Sequence, residues 1–281
     1  MKNNLIKSLL FVPGHKRNYL KNFNSINFDA LVVDLEDAVP IDKKKEARKN
    51  LEDIKKFNLG KNLYVRLNYD KTNLEDDIKS CAKSKINSFV LPKIDTPKDI
   101  IFIQKIIKKY IKSKNLKFLI LIESAKAIIN LKDICEFSKN INGLIFGAED
   151  YLNDINVLDF HDNTNINFPR ALIPIYAHAY NLNCIDTPYL NLINQKDFKI
   201  HLKTSKSLGY TGILNIHPKQ CKLTNINYAP SKSDYKISKK IISSNKSYKY
   251  QNENISVLKN KLIGPPMIKR AKKIIEFFKN D

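Results

Sequence analysis

Two carboxylates stand out by position. Glu123 follows the apolar run Phe118-Leu119-Ile120-Leu121-Ile122, and Asp150 closes Gly147-Ala148-Glu149-Asp150 after the run Gly143-Leu144-Ile145-Phe146. Two carboxylates at the ends of adjacent strands suit Mg2+, with Mn2+ as an alternative. Such a hard ion takes one or two protein carboxylates and leaves its other positions to water and substrate. An α-hydroxy or α-oxo carboxylate fills two of those positions, and the ion then polarises its oxygen as a Lewis acid. Arg66, in Val65-Arg66-Leu67-Asn68, is of the type that grips a carboxylate or steadies an enolate oxygen. These parts suit aldol or Claisen chemistry, the making or breaking of a carbon–carbon bond beside a carbonyl.

Taken singly, each residue also has a plainer reading. A carboxylate after a strand can cap the next helix or close a turn, and Arg66 or Lys93 can be half of a structural ion pair. Convergence is what favours chemistry, because charges gathered at one site stay repelled or desolvated unless a metal or substrate organises them.

The elements that would gather them are short apolar runs, many β-branched, with helical segments between. Residues 8–12, 30–33, 63–67, 88–91, 118–122, 143–146, 184–186 and 212–216 read as strands, the 184–186 run being the weakest. Continuous apolar runs of this kind belong to parallel strands buried on both faces. Between them lie amphipathic stripes such as Ile100, Ile103, Ile106, Ile107 and Tyr110, preceded by a Thr96 N-cap with Pro97 at the first helical position. Alternation on this scale predicts an α/β fold, a (β/α)8 (TIM) barrel with a C-terminal helical extension. The barrel is assigned to residues 1–227 and the extension to 228–281, expected to pack on the barrel or on a neighbouring subunit. Residues 228–260 are rich in Ser, Lys and Asn, and residues 266–279 read as one more helix behind Pro265 and Pro266.

In such a barrel the residues after each strand meet at the C-terminal face, where active sites sit. Here these are Pro13-Gly14-His15, Asp34-Leu35-Glu36-Asp37, Arg66 with Asn68, Pro92-Lys93, Glu123-Ser124, Gly147 to Asp150, Asp186 and His217-Pro218.

The composition fits this class. A chain of 281 residues that is 43% hydrophobic has the length of an α/β barrel, which takes about 250. It has no apolar run of membrane-spanning length, so no membrane association is expected. The polar residues 1–7 do not read as a signal peptide. Cys81, Cys135, Cys184 and Cys221 are widely spaced, with no CxxC and no zinc-like histidine partners, which suits reduced thiols in a cytoplasmic setting. The formal net charge of +21 raises the rival reading of a non-catalytic nucleic-acid-binding protein. The lysines are spread along the whole chain, and charge alone does not account for acidic residues at strand ends, so no nucleic-acid partner is expected. The field would still favour an anionic substrate.

The chain resembles the HpcH/HpaI aldolase and citrate lyase β-subunit family, which includes the malyl-CoA lyases. The matching stretches are Ser8-Leu9-Leu10-Phe11-Val12-Pro13-Gly14, Asp34-Leu35-Glu36-Asp37-Ala38-Val39, Val65-Arg66-Leu67-Asn68 and Leu91-Pro92-Lys93. Leu121-Ile122-Glu123-Ser124-Ala125, Phe146-Gly147-Ala148-Glu149-Asp150, Ile185-Asp186-Thr187 and Ile216-His217-Pro218-Lys219-Gln220 follow in family order. The resemblance implies a homo-oligomer, trimeric or hexameric, with Mg2+ on Glu123 and Asp150. It implies substrate oxygens on Arg66 and a supporting role for Glu36 and Asp37 at the metal waters, so that Arg66, Glu36 and Asp37 form the expected catalytic set. Lys93, Pro13 and Gly14 are expected beside Arg66 at the substrate.

There is one marked departure. CoA-using relatives carry an acidic residue in a tail segment resembling Gly-Lys-Met-Ile-Asp-x-Pro, and that residue takes part in proton transfer. This chain reads Asn260-Lys261-Leu262-Ile263-Gly264-Pro265-Pro266. The stretch 151–168 also differs from the family's. The expected function is therefore a Mg2+-dependent carbon–carbon lyase on an oxo-acid or hydroxyacyl-CoA. For that reading His15 is a candidate base, and an aldolase for a non-CoA keto acid or keto-sugar acid is the alternative. A catalytically silent barrel serving as an assembly subunit is a further rival, opposed by the intact Arg66, Glu123 and Asp150.

Overall fold

The computed structural model describes residues 5–21, 26–54, 62–137, 139–158, 164–249, 256–258 and 261–279. The chain divides into two compact units, residues 1–228 and 229–281.

The first unit is a closed barrel of eight parallel strands in sequence order. They are β1 (Ser8–Pro13), β2 (Ala30–Asp34), β3 (Asn62–Arg66), β4 (Ser88–Leu91), β5 (Lys117–Ile122), β6 (Ile141–Phe146), β7 (Asn183–Asp186) and β8 (Gly212–Asn215). Closure is made by β1 on β8, with Ser8 beside Ile213 and Leu10 beside Asn215. Between the strands run α1 (Arg17–Lys21), α2 (Lys44–Ile54), α3 (Lys71–Lys83), α4 (Pro97–Tyr110), α5 (Ala125–Ile129), α6 (Leu131–Phe137), α7 (Ala148–Asp154), α8 (Asn167–Ala179) and α9 (Gln195–Leu208), with α10 (Pro218–Tyr228) after β8. The expected α4 stripe is buried at Ile100, Ile103, Ile106 and Ile107, while Tyr110 stays exposed. Thr96 begins this helix by donating its N–H (2.8 Å) and its hydroxyl (3.0 Å) to the Asp99 carboxylate.

Two cores follow from the two-residue period of a strand. Leu9, Ala30, Val32, Tyr64, Val90, Leu119, Leu121, Ile145, Ile185 and Leu214 pack together in one cluster. Their neighbours Leu10, Leu31, Val33, Val65, Phe89, Leu91, Phe118, Ile120, Leu144 and Cys184 pack with helix residues in the other. The first set fills the barrel and the second seats the helices. Strands buried on both sides give the apolar runs seen in the sequence. All four cysteines are buried and unbridged.

The second unit pairs α11 (Lys232–Lys249) with α12 (Pro265–Phe277) and adds a short antiparallel ribbon of β9 (Ser256–Leu258) and β10 (Lys261–Ile263). Ile241, Ile263 and Ala271 form its small core. The α11 helix occupies much of the Ser-, Lys- and Asn-rich stretch, and composition does not announce it. Of the unusual stretch 151–168, residues 159–163 lie outside the described residues. No helix among the described residues is long and apolar enough to cross a membrane.

Candidate active site

The strand parity that fills the barrel also builds the site. Continuing each inward set by two residues gives Asp34 after Val32, Arg66 after Tyr64, Glu123 after Leu121, Gly147 after Ile145, Thr187 after Ile185 and Ile216 after Leu214. All six line one cavity of about 290 Å³, together with Phe11, Pro13, Glu149 and Asp150. Arg66 also lies 5.5 Å from the centre of the Phe11 ring.

Arg66 is fixed by Asp34. Its Nε donates to Asp34 Oδ1 at 2.7 Å and its Nη2 to Oδ2 at 2.5 Å. Asp34 is buried, and it also accepts the backbone N–H groups of Glu36 (2.8 Å) and Ala38 (3.2 Å). The remaining arm, Nη1, lies 3.2 Å from Glu36 and 3.7 Å from Asp37. In the sequence Asp34 stands among the strand-end residues but carries no assigned role. The available signal is a carboxylate directly after the apolar Leu31-Val32-Val33, in register with Arg66 on the next strand.

Glu36 is 5% exposed, and neither carboxylate oxygen receives a well-formed hydrogen bond. Arg66 at 3.2 Å and Lys93 Nζ at 3.5 Å are ion-pair neighbours only. Burial pushes the Glu36 carboxyl up to about 8, outweighing the pull of Arg66. Glu36, Asp37 and Lys93 line a neighbouring hollow with Lys44, Asn68 and Tyr69, not the main cavity.

Glu123 is buried and accepts the Lys93 backbone N–H on Oε1 at 2.6 Å. Burial raises its carboxyl to about 7, and the charge of Asp150 adds to the rise against the Lys93 hydrogen bond. Asp150 is raised by burial and then by Asp37. Gly147 makes room for this arrangement, since a Cβ there would stand 2.8 Å from Glu123 Cβ and 3.1 Å from Glu123 Oε2. Two carboxylates on one cavity wall, both with pKa values raised by burial, could hold a cation. Among the described residues no three His, Cys, Asp or Glu side chains gather as a closed cage. As a pair, Glu123 and Asp150 could serve as an open donor set, of the kind that leaves positions to water and substrate.

Several strand-end residues lie elsewhere. Asp186 follows an inward residue by one, so it faces the helices and forms a buried pair with Arg170 of α8, with contacts of 2.6–3.1 Å. Asn68 turns to Asp77, donating its backbone N–H at 2.8 Å and its amide at 2.7 Å. Gly14 does not line the cavity. Its N–H donates to the Asp34 carbonyl at 2.8 Å and its carbonyl accepts from Asn50 at 2.9 Å, so both polar groups are already used in packing. Pro13 does reach the cavity. His15 lies outside the lining, with Nδ1 buried and without a hydrogen bond, and burial followed by Lys16 lowers its pKa. His217 borders a separate small hollow beside Asn191 and Gln220. Gly264 is the N-cap of α12, in the second unit.

Known proteins place this architecture. The family model for HpcH/HpaI aldolase/citrate lyase matches residues 7–218. Human mitochondrial citramalyl-CoA lyase is 26% identical, covering 96% of this chain and 84% of its own. The citrate lyase β-subunit of Haemophilus influenzae is 28% identical, covering 97% and 96%. In fold, the chain matches a CitE protein of Mycobacterium tuberculosis, crystallised with magnesium, acetoacetate and coenzyme A. That match has a TM-score of 0.83 at 17% identity, covering 97% of this chain and 98% of the other. With the barrel, the ordered motifs and a family match over most of the chain, the protein belongs to the HpcH/HpaI aldolase/citrate lyase family of carbon–carbon lyases.

Proposed function

We propose that this chain is a Mg2+-dependent lyase that breaks or forms a carbon–carbon bond in an oxo-acid or hydroxyacyl-CoA substrate. The observation that carries the reading is the pairing of Glu123 and Asp150 on one cavity wall with Arg66 on the same cavity. Glu123 and Asp150 would hold the ion. A bound divalent ion supplies Lewis-acid polarisation of the oxygen beside the breaking bond. The other tasks belong to the chain. Asp34 orients the Arg66 guanidinium, whose Nη1 arm holds the oxygen that gains charge as the enolate forms. Phe11, Leu121, Phe146 and Leu214 supply an apolar wall that keeps water from the enolate carbon. Glu36, buried beside Arg66, carries a proton near neutrality.

The non-CoA alternative draws on Gly264, which cannot transfer a proton. By analogy with the family the chain would bind magnesium, act on a thioester and assemble as a trimer or hexamer, and its unbridged cysteines suit a cytoplasmic setting. The test is to incubate the purified chain with malyl-CoA, citramalyl-CoA and a panel of oxo-acid aldols, with Mg2+ or with a chelator. Metal-dependent cleavage of at least one substrate is expected. Intact substrates throughout, or cleavage indifferent to the chelator, would contradict the reading.

A further inference from the structure

We infer that Lys93 is a positioning residue that acts through its main chain: a left-handed turn aims its N–H at Glu123 and sets the carboxylate for the cation. The inference rests on the proposed metal role of Glu123. Lys93 has φ +53°, in the region that non-glycine side chains seldom adopt. There its N–H reaches Glu123 Oε1 at 2.6 Å. That bond occupies Oε1 and leaves Oε2 beside Gly147, where the missing Cβ makes space on the cavity wall.

The turn is pinned by its surroundings, which is how an unfavourable backbone conformation persists. Ser124, next to Glu123, donates its hydroxyl to Asp95 Oδ1 at 2.5 Å, and the Asn130 amide donates to the Asp95 carbonyl at 3.1 Å. The segment carrying Lys93 is thus tied to the segment carrying Glu123 at three points. The ammonium has a lesser role, half-exposed and 3.5 Å from Glu36. It is the peptide N–H that reaches the proposed metal ligand, and for that any residue able to hold the turn would serve.

Two measurements test this on the full chain. In amide-resolved NMR at pH 8, the Lys93 N–H should resonate far downfield. In Glu123→Ala it should move upfield and lose protection from hydrogen exchange. This readout needs no metal. In Mn2+ titrations, Lys93→Gly keeps the N–H and favours the left-handed turn, so its affinity should stay near that of the wild type. Lys93→Val resists the turn and should lose on the order of 10-fold, as loss of a group supporting a metal ligand typically does. A Lys93 amide indifferent to Glu123→Ala would overturn the inference. So would Lys93→Gly binding as weakly as Lys93→Val, or Lys93→Val binding as the wild type does. Wild-type protein that binds no Mn2+ would instead defeat the metal reading, and the amide measurement would still decide whether Lys93 orients Glu123.

Discussion

Arg66 reaches Asp34 with two parallel hydrogen bonds, 2.7 Å from Nε and 2.5 Å from Nη2. This fork is what leaves Nη1 over for Glu36 and for substrate. Lysine keeps the charge but has no fork. Arg66→Lys should therefore fold while its turnover falls on the order of 10²-fold or more, the usual scale for a group that stabilises developing charge. Steady-state kinetics with a thermal melt checks this, and near-normal turnover would leave Arg66 a structural partner of Asp34.

Asp186 gives the opposite expectation. It is fully buried against Arg170 and faces the helices. Asp186→Ala strands the guanidinium, which costs about 3–5 kcal/mol for a broken buried pair. Denaturant unfolding should show that loss, while Mg2+ affinity of the folded fraction stays unchanged. A stable Asp186→Ala protein with impaired metal binding would move Asp186 back into the site.

How legible these roles are depends on which contact defines them. The strands show in the sequence because both faces are apolar, and β7 shows least because Asn183 and Asp186 interrupt it. Asn183 spends its Oδ1 on the Ile6 N–H at 3.1 Å, a contact across the sequence that no local pattern reveals. The meeting of Glu123, Asp150 and Arg66 at one cavity was legible because strand ends in a barrel converge. The separation of Asp186 and Gly14 from the cavity was not, although the parity of Ile185 already points Asp186 outward. The left-handed turn at Lys93 has no local sign, since glycine does not mark it.

Glu36 should leave a mark on stability. Its folded carboxyl is raised to about 8 from an ordinary value near 4.5. The folded state therefore binds more protons than the unfolded state between those values, and stability declines as pH rises through that window. Glu36→Gln cannot ionise and should flatten the decline. Urea midpoints at pH 5, 6, 7 and 8 read this directly, and parallel slopes for variant and wild type would show that Glu36 is not the source.

Gly264 is not demanded by the backbone. Its φ of −103° is open to any residue, and among the described residues an added Cβ would meet only Pro266 Cδ at 3.8 Å. Gly264→Asp should fold normally, as aspartate also suits an N-cap. The wild type should cleave malyl-CoA or citramalyl-CoA slowly or not at all, and Gly264→Asp should raise that rate. Family-typical turnover by the wild type would show that the tail carboxylate is dispensable here.

Calorimetric titration of Mg2+ reads out whether Glu123 and Asp150 hold a divalent cation. The wild type should bind one ion per chain, with protons released at neutral pH as the raised Glu123 carboxyl ionises. Asp150→Ala and Glu123→Ala should each abolish the binding heat without unfolding the barrel. Unchanged Mg2+ affinity in Asp150→Ala would mean that the ion is not held by this pair.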